Sequence, residues 1–429
     1  TAYEIMPSLV GSEMCIRDRL KTIRGMPDLF GSQIQGISFV EKTCEKTFKS
    51  FNFQEFRTPI LENKSLFKRS VGDTSEMVQK EMYELKDRKG EELCLRPEGT
   101  AGLVRALITN NLDATDIKKF FYIGPMFRYE RPQKGRKRQF CQAGIELIGD
   151  PSINADIEVI QIATLILKEL DIQAELQINF IGDLASLDGY RKYLRDYLKE
   201  YKLSTDEKLY SRLIRNPLRA MDSKDANIKE LMKNAKKISE FLSADQLKKY
   251  DEIKSLLTGM EIKFIENPDL VRGMDYYTGT VFEFTNNQLG AQNSILGGGR
   301  YDNLISDLGG NRLPATGFAL GVDRLAEIVK MKEQQKDLFL GSLDSAGKAF
   351  AQKLSFKIRS RNPNLVIETY LGQANIGKQL KKADSLGFKS VIIIGQEELN
   401  SGLLKVKYFD NNLPDLELTE DQIFEKLGC

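Results

Sequence analysis

Histidine does not occur anywhere in the 429 residues. Its absence removes Ser-His-Asp triads, imidazole general bases and His-ligated metals in one step. Cysteine is scarce, and Cys15, Cys44, Cys94, Cys141 and Cys429 are odd in number and never spaced C-x-x-C. That pattern suggests neither a disulfide framework nor a zinc site, and a reducing cytoplasm suits it best. No apolar run approaches the ~18 residues needed to cross a bilayer, so a membrane protein is not expected. Neither sign of charge dominates: 63 Lys and Arg face 61 Asp and Glu. A polybasic, histone-like chain is thereby excluded, and any nucleic-acid contact has to come from local patches. Chemistry here must run on carboxylates, guanidinium groups, amines, hydroxyls and a bound ion.

What is present suits a large enzyme of two or three domains, with 41% hydrophobic and 29% charged residues. Residues 1–19 (TAYEIMPSLVGSEMCIRDR) carry no helical or strand period and no signal-peptide order, so they are expected to be a non-native or disordered tail. From Gly36 to Phe51, the apolar residues Ile37, Val40, Cys44, Phe48 and Phe51 form the stripe of an amphipathic helix. Pro59, in FQEFRTPIL, places the next segment at a sheet edge or subunit boundary. Leu93 to Leu95 read as a strand, and Thr100 as the cap of a helix carrying Leu103, Val104 and Leu107. Phe120–Glu130 and Phe140–Ile148 read as a long antiparallel hairpin. Residues from about 185 to 260 are Lys-rich and helical in period, an insertion between two β-rich blocks. After the charged stretch KMKEQQK, strand alternates with helix, which predicts a small α/β domain over 331–429 following a domain over 20–330.

Four features carry possible chemistry. In the hairpin, a period of two puts Arg128 and Glu130 on one face of their strand, and Gln142, Gly144 and Glu146 on one face of theirs. Such charges are costly to bury unless paired or bound to a polar ligand, so the face is either a binding floor or a solvated outer surface. The loop with Arg131, Lys134, Arg136, Lys137 and Arg138 is either a phosphate grip or a soluble turn. GGGRYD at Gly297–Asp302 brings backbone close to something, or is a bulge; it lacks the Lys-Ser/Thr ending of a P-loop. Arg324 falls in the first turn of a helix, where the backbone dipole disfavours a cation, so it either faces an anionic or aromatic ligand or is a surface residue.

Their co-occurrence in this order is the informative signal. FYIGPMFRYERPQKGRKRQF resembles motif 2 of the class II aminoacyl-tRNA synthetases, GFALGVDRL resembles motif 3, and FQEFRTPIL resembles motif 1. LVRGMDYYTGTVFEF and GGGRYD are similar to two segments peculiar to the histidyl-tRNA synthetase family. The resemblance runs from Ile23 to the C-terminus. It implies an α+β catalytic domain on an antiparallel sheet with flanking helices, interrupted by the helical insertion, and a C-terminal α/β anticodon-binding domain.

The implied activity is ATP-dependent formation of histidyl-adenylate and pyrophosphate, then transfer to the 3′-terminal adenosine of tRNA(His), in a cytoplasmic homodimer. By resemblance, Arg128, Glu130, Arg272 and Arg324 bind ATP, with Arg272 and Arg128 catalytic, and Mg²⁺ neutralises pyrophosphate; no protein ligand for the metal is assigned. Glu98, Thr100, Gln142, Glu146, Tyr276 and Tyr277 are implied to bind histidine, and Gln133 and Arg138 to contact the tRNA acceptor end. An imidazole offers one ring donor and one acceptor, which Glu146 and the Tyr277 hydroxyl can satisfy. Cys141 stands where the family usually has histidine, and its strand parity points away from Gln142 and Glu146, which suggests a structural role. Rival readings are the ATP phosphoribosyltransferase regulatory subunit, a non-catalytic histidine-binding relative, and a synthetase for threonine, proline or glycine.

Overall fold

The computed structural model describes residues 21–72, 75–113, 116–132, 136–200, 207–223, 225–290, 293–331, 336–410 and 412–429. The tail at 1–19 therefore lies outside the described residues. The chain forms two compact units, Thr1–Lys330 and Met331–Cys429.

The first unit is built on an eight-stranded sheet in the order Gln54–Glu55, Lys118–Phe127, Gln139–Ile148, Ala315–Gly321, Ser294–Arg300, Thr278–Thr285, Glu175–Phe180 and Phe264–Glu266. The six inner strands run antiparallel, and each short outermost strand pairs in parallel with its neighbour. Alternation along the hairpin decides what each face meets. Phe121, Ala143, Ile145 and Leu147 point to one side, where they share a core with Ile37, Val40, Cys44 and Phe48 of helix Ser32–Ser50 and with Val159, Ile160 and Ala163 of helix Ile153–Glu169. Phe48 and Phe121 lie 5.3 Å apart between ring centres, both sealed from solvent. Burial of each such side chain contributes roughly 1.5–3 kcal/mol, which fixes these helices beneath the sheet.

The opposite face carries Phe120, Tyr122 and Met126, packed against Leu103, Val104 and Leu107 of helix Thr100–Thr109. Gln142, Gly144 and Glu146 share this face by parity, so their polar groups are held between the sheet and that helix. A buried pair ties down the end of the Ser294–Arg300 strand: Arg300 Nη2 meets Asp156 Oδ1 at 3.0 Å and also donates to the Ser152 carbonyl at 2.8 Å.

Between strands Glu175–Phe180 and Phe264–Glu266 the chain leaves the sheet as helices Leu184–Glu200, Glu207–Arg215, Ala226–Lys233 and Ala244–Gly259. Ser243 caps the last of these, accepting from Gln246 N while the Gln246 side chain reaches back to Ser243 N. Leu213, Ala220, Ile228 and Met232 of this insertion join the apolar cluster that also holds Leu270, Tyr276 and Tyr277.

In the second unit, strands Ile367–Thr369, Lys336–Ser342 and Phe388–Ile394 are parallel, and Leu404–Tyr408 and Leu416–Leu418 extend the sheet antiparallel. Helix Ser345–Arg361 turns Ala351, Leu354 and Ile358 into the core on one side. Helix Ile376–Ser385 seats Ala383 against Phe339 and Phe388 in a second apolar cluster. Its Gln379 is fully buried yet satisfied, donating to the Ser342 and Ala374 carbonyls at 2.8 Å each and accepting from Ser342 N at 3.0 Å.

Candidate active site

On the polar face of the large sheet the first unit encloses a cavity of about 850 Å³, lined among others by Glu98, Thr100, Arg128, Glu146, Arg272 and Arg324. Its floor is made of three strands, and part of that floor is bare backbone. Gly317 sits opposite Glu146 in the sheet register, and a side-chain carbon there would overlap the Glu146 carboxylate. A carbon on Gly297 would overlap the Arg272 guanidinium in the same way. Glycine at these two positions lets a charged group lie flat on the sheet.

The inner end is a buried carboxylate pocket. Thr100 Oγ1 donates to Glu146 Oε1 at 2.6 Å, and the Tyr301 hydroxyl donates to Glu146 Oε2. Burial pushes the Glu146 carboxyl up to about 8; the Thr100 and Tyr301 hydroxyls pull it down, and the nearby charge of Glu98 adds to the rise. Glu98 is also raised by burial, opposed by the two backbone N–H groups it accepts from, Thr100 N and Ala101 N, each at 2.7 Å. Tyr277 lines the cavity, its phenol pushed up to about 12 by burial and drawn back by Arg272. Gln142 lines the cavity and is buried, its Oε1 without a hydrogen-bond partner among the described residues, an acceptor that a ligand donor would satisfy.

The outer end is cationic. Arg128 donates from Nε to the Pro97 carbonyl at 2.9 Å and lies over the Phe140 ring at 5.2 Å. Arg136 pairs with Glu130, and Arg324 donates from Nη1 to the Ser294 carbonyl at 2.5 Å. Arg324 is held below its usual value, first by burial and then by the charges of Arg136 and Arg128. The charges of Arg136 and Arg128 thus bear on Arg324 at one opening, opposed in part by Glu130, a potential that an anionic ligand relieves. Between the two ends lies Arg272, whose Nη1 meets Glu283 Oε1 at 2.6 Å, while the Ser294 hydroxyl donates to the same oxygen at 2.6 Å.

The structure thus brings Glu98, Thr100, Gln142, Glu146, Tyr277, Arg128, Glu130, Arg272 and Arg324 to the wall of one cavity. Tyr276 stands behind that wall, its ring 4.7 Å from Tyr277 and 5.6 Å from Tyr301. Arg138 is outside the lining, stacked on Tyr129 at 3.9 Å and donating from Nε to the Glu130 carbonyl at 3.1 Å. Gln133 lies outside the described residues.

Two expectations about local structure are corrected. Arg128 and Glu130 do not share a strand face, because the strand ends at Phe127. Arg128 N keeps one last bond across the hairpin, to the Arg138 carbonyl at 2.9 Å; beyond it Tyr129 N donates to the Glu81 carbonyl at 2.6 Å and Glu130 N to the Arg128 carbonyl at 2.8 Å. Thr100 does not cap its helix. The Glu98 carboxylate takes the first-turn N–H groups, leaving the threonine hydroxyl to Glu146. Two contributors were overlooked, Tyr301 and Glu283. A lone carboxylate in the otherwise apolar run TVFEF was a readable demand for a buried cation, and Tyr301 lies two residues past the glycine run.

The pattern that defines histidyl-tRNA synthetases matches residues 25–325, and that of an anticodon-binding domain matches residues 333–428. The chain belongs to the histidyl-tRNA synthetase family. Its similarity to curated histidyl-tRNA synthetases extends along nearly the whole chain. It is 42% identical over 399 residues to the histidine–tRNA ligase of Prochlorococcus marinus, covering 92% of each chain. It is 40% identical over 396 residues to that of Hydrogenovibrio crunogenus, covering 91% of this chain and 93% of the relative. The crystal structure of apo S. aureus histidyl-tRNA synthetase superposes with a TM-score of 0.79 at 30% identity, covering 96% of this chain and 100% of that one. Among the described residues, no group of three or more Cys, Asp or Glu side chains is placed to hold a metal ion, and no helix is long and apolar enough to cross a membrane.

Proposed function

We propose that the cavity joins histidine to ATP, as the first half-reaction of a histidine–tRNA ligase. The observation that carries this is the sharing of one cavity by a cationic outer end, a hydrogen-bonded carboxylate at the inner end and Arg272 between them. Arg128, Arg136 and Arg324 suit a triphosphate, since guanidinium forks match phosphate oxygens and their mutual repulsion falls when an anion binds. Glu130 stands at the same opening, beside the site assigned to the nucleotide.

Histidine occupies the inner end in this reading. Glu146, with Thr100 and Tyr301 already donating to it, takes a ring N–H, and the Tyr277 hydroxyl meets the second ring nitrogen. Glu98 and the unpartnered Gln142 Oε1 suit the amino group, with Tyr276 holding Tyr277 in place. A carboxylate oxygen of histidine attacks the α-phosphorus; the bond to the bridging oxygen breaks, and pyrophosphate departs with that electron pair. Arg272 and Arg128 stabilise the charge that builds on the equatorial oxygens, and Glu283 and Gly297 fix Arg272 beforehand, so little reorganisation is needed. Mg²⁺ would supply further neutralisation of the charge on the departing pyrophosphate; among the described residues no protein ligand set for it is assigned. In the second half-reaction a hydroxyl of the terminal ribose of tRNA(His) attacks the acyl carbon, and AMP leaves.

Contact of the acceptor end with Gln133 and Arg138, and anticodon reading by residues 331–429, complete the proposal. A homodimer is supported by exposed Phe30, Ile34 and Phe39 beside and along helix Ser32–Ser50, and by Ile60 and Leu61 next to Pro59 at the sheet edge. A cytoplasmic location is supported by free Cys44, Cys94, Cys141 and Cys429. ATP–pyrophosphate exchange measured across the amino acids is the test. Stimulation by histidine alone is expected; stimulation by none, which suits a regulatory subunit, or by another amino acid overturns the reading.

A further inference from the structure

The segment that carries Arg272 is not held by the sheet alone. Residues 271–277 contain no strand, so their backbone depends on side chains brought from elsewhere. Those side chains come from the helical insertion. Arg219 donates from Nη2 to the Gly273 carbonyl at 2.6 Å, and the same nitrogen lies 3.5 Å from Asp275 Oδ1. Asn216 Nδ2 donates to both Asp275 oxygens, at 3.0 and 3.1 Å. Asn216 occupies the cap position of the short turn Pro217–Ala220, yet its side chain makes no cap bond there. It is buried and committed to Asp275. On its far side Asp275 presses against Gly72, where a side-chain carbon would come within 2.7 Å of Oδ2. Asp275 is therefore clamped between the insertion and the Gly72 turn, three residues after Arg272 and one before Tyr276. Arg219 also lines the cavity, together with Arg212, Asp222 and Ser223 of the insertion.

We infer that Asn216 and Arg219 are positioning residues for the activation step, setting Arg272 through Gly273 and Asp275. The inference rests on the role proposed above for Arg272. Neither residue needs to touch a reacting atom. A shift of this segment by an ångström misplaces the guanidinium relative to the phosphate, and such errors are costly because catalysis depends on geometry fixed in advance. The insertion thereby becomes part of the catalytic apparatus, and displacement of its Asn216–Ala220 turn is felt at Arg272.

The test is histidine-dependent ATP–pyrophosphate exchange by the full chain, with variants matched to the parent by thermal melting. Asn216→Ala and Arg219→Ala are each expected to lower kcat about tenfold or more. The KM values for histidine and ATP should stay within about threefold of the parent's. Arg219→Lys, which keeps a donor for the Gly273 carbonyl, should retain kcat within about threefold. Lys233→Ala, at an exposed insertion residue paired with Glu230, is the control for general damage. Should Asn216→Ala fail to fold, Asn216→Ser replaces it. In a double-variant cycle, Asn216→Ala combined with Asp275→Ala should fall no further than the more damaged single variant, since both act through one clamp. Parental kcat in the Asn216 and Arg219 variants, or multiplicative losses in the cycle, overturns the inference and leaves the proposed function intact. Absence of exchange by the parent with every amino acid overturns the function itself.

Discussion

The Thr100 hydroxyl and Glu146 meet at 2.6 Å although 46 residues separate them in sequence. The bond ties the start of helix Thr100–Thr109 to the C-terminal part of strand Gln139–Ile148 and fixes the buried carboxylate in one orientation. Thr100→Val keeps the shape and removes the donor. It is expected to raise the KM for histidine about tenfold, in line with the cost of an unmet buried polar group of about 1–3 kcal/mol. Exchange assays over a histidine concentration series measure this, and an unchanged KM counts against Thr100 as a histidine-site residue.

Glu146 also makes stability depend on pH with a definite sign. Its carboxyl is raised from the ordinary glutamate value of 4.5 to about 8, so between these pH values the folded chain holds a proton that the unfolded chain has lost. Stability contributed at this position therefore falls as pH rises through that window and levels off above it. Glu146→Gln removes the titration. The variant's melting temperature relative to the parent's should be higher at pH 8.5 than at pH 5, and it should fail to activate histidine. A melting difference independent of pH would show that the carboxyl does not titrate in this range.

Gly297→Ala puts a carbon where the Arg272 guanidinium lies. Arg272 must then move off Glu283, and a loss of about 10²–10³ in exchange kcat is expected, the usual consequence of removing one preorganised electrostatic group. Circular dichroism and melting should show a folded chain. Near-parental kcat would mean that the position of Arg272 over the sheet is immaterial to the reaction.

Away from the cavity, Arg300 and Asp156 form a buried pair at the end of the glycine-rich strand. Arg300→Met strands the carboxylate, and a loss of about 3–5 kcal/mol is expected by analogy with other broken buried pairs. Urea unfolding measures it. Asp156→Asn with Arg300→Met should recover part of the loss, because the unpaired charge is then gone.

Much of this site was legible because strand parity is a local property. Gln142, Gly144 and Glu146 share a face wherever that strand goes, and the sheet carries all three to the same side. The same reasoning fails for Arg128 and Glu130, because parity is lost where a strand ends, and past Arg128 the backbone turns to the distant carbonyl of Glu81. The choice of Glu98 over Thr100 as cap was hidden for a related reason. Both residues can accept from first-turn N–H groups, and only the arrival of Glu146 from another strand draws the threonine hydroxyl away. Arg138 counted towards a basic cluster in one dimension, whereas in three dimensions it is folded back on Tyr129. The Arg219 and Asn216 clamp joins residues more than fifty positions apart, and nothing in either segment announces the other.

Where Gly317 and Gly297 form the bottom of the cavity, the chain offers nothing to trim. Engineering a roomier slot for a bulkier amino acid must therefore recruit the walls, Thr100, Gln142 or Tyr277, each of which carries a polar group into the site. Size and polarity in this pocket sit on the same side chains, so a change that admits a larger substrate also removes a polar group that recognises the smaller one.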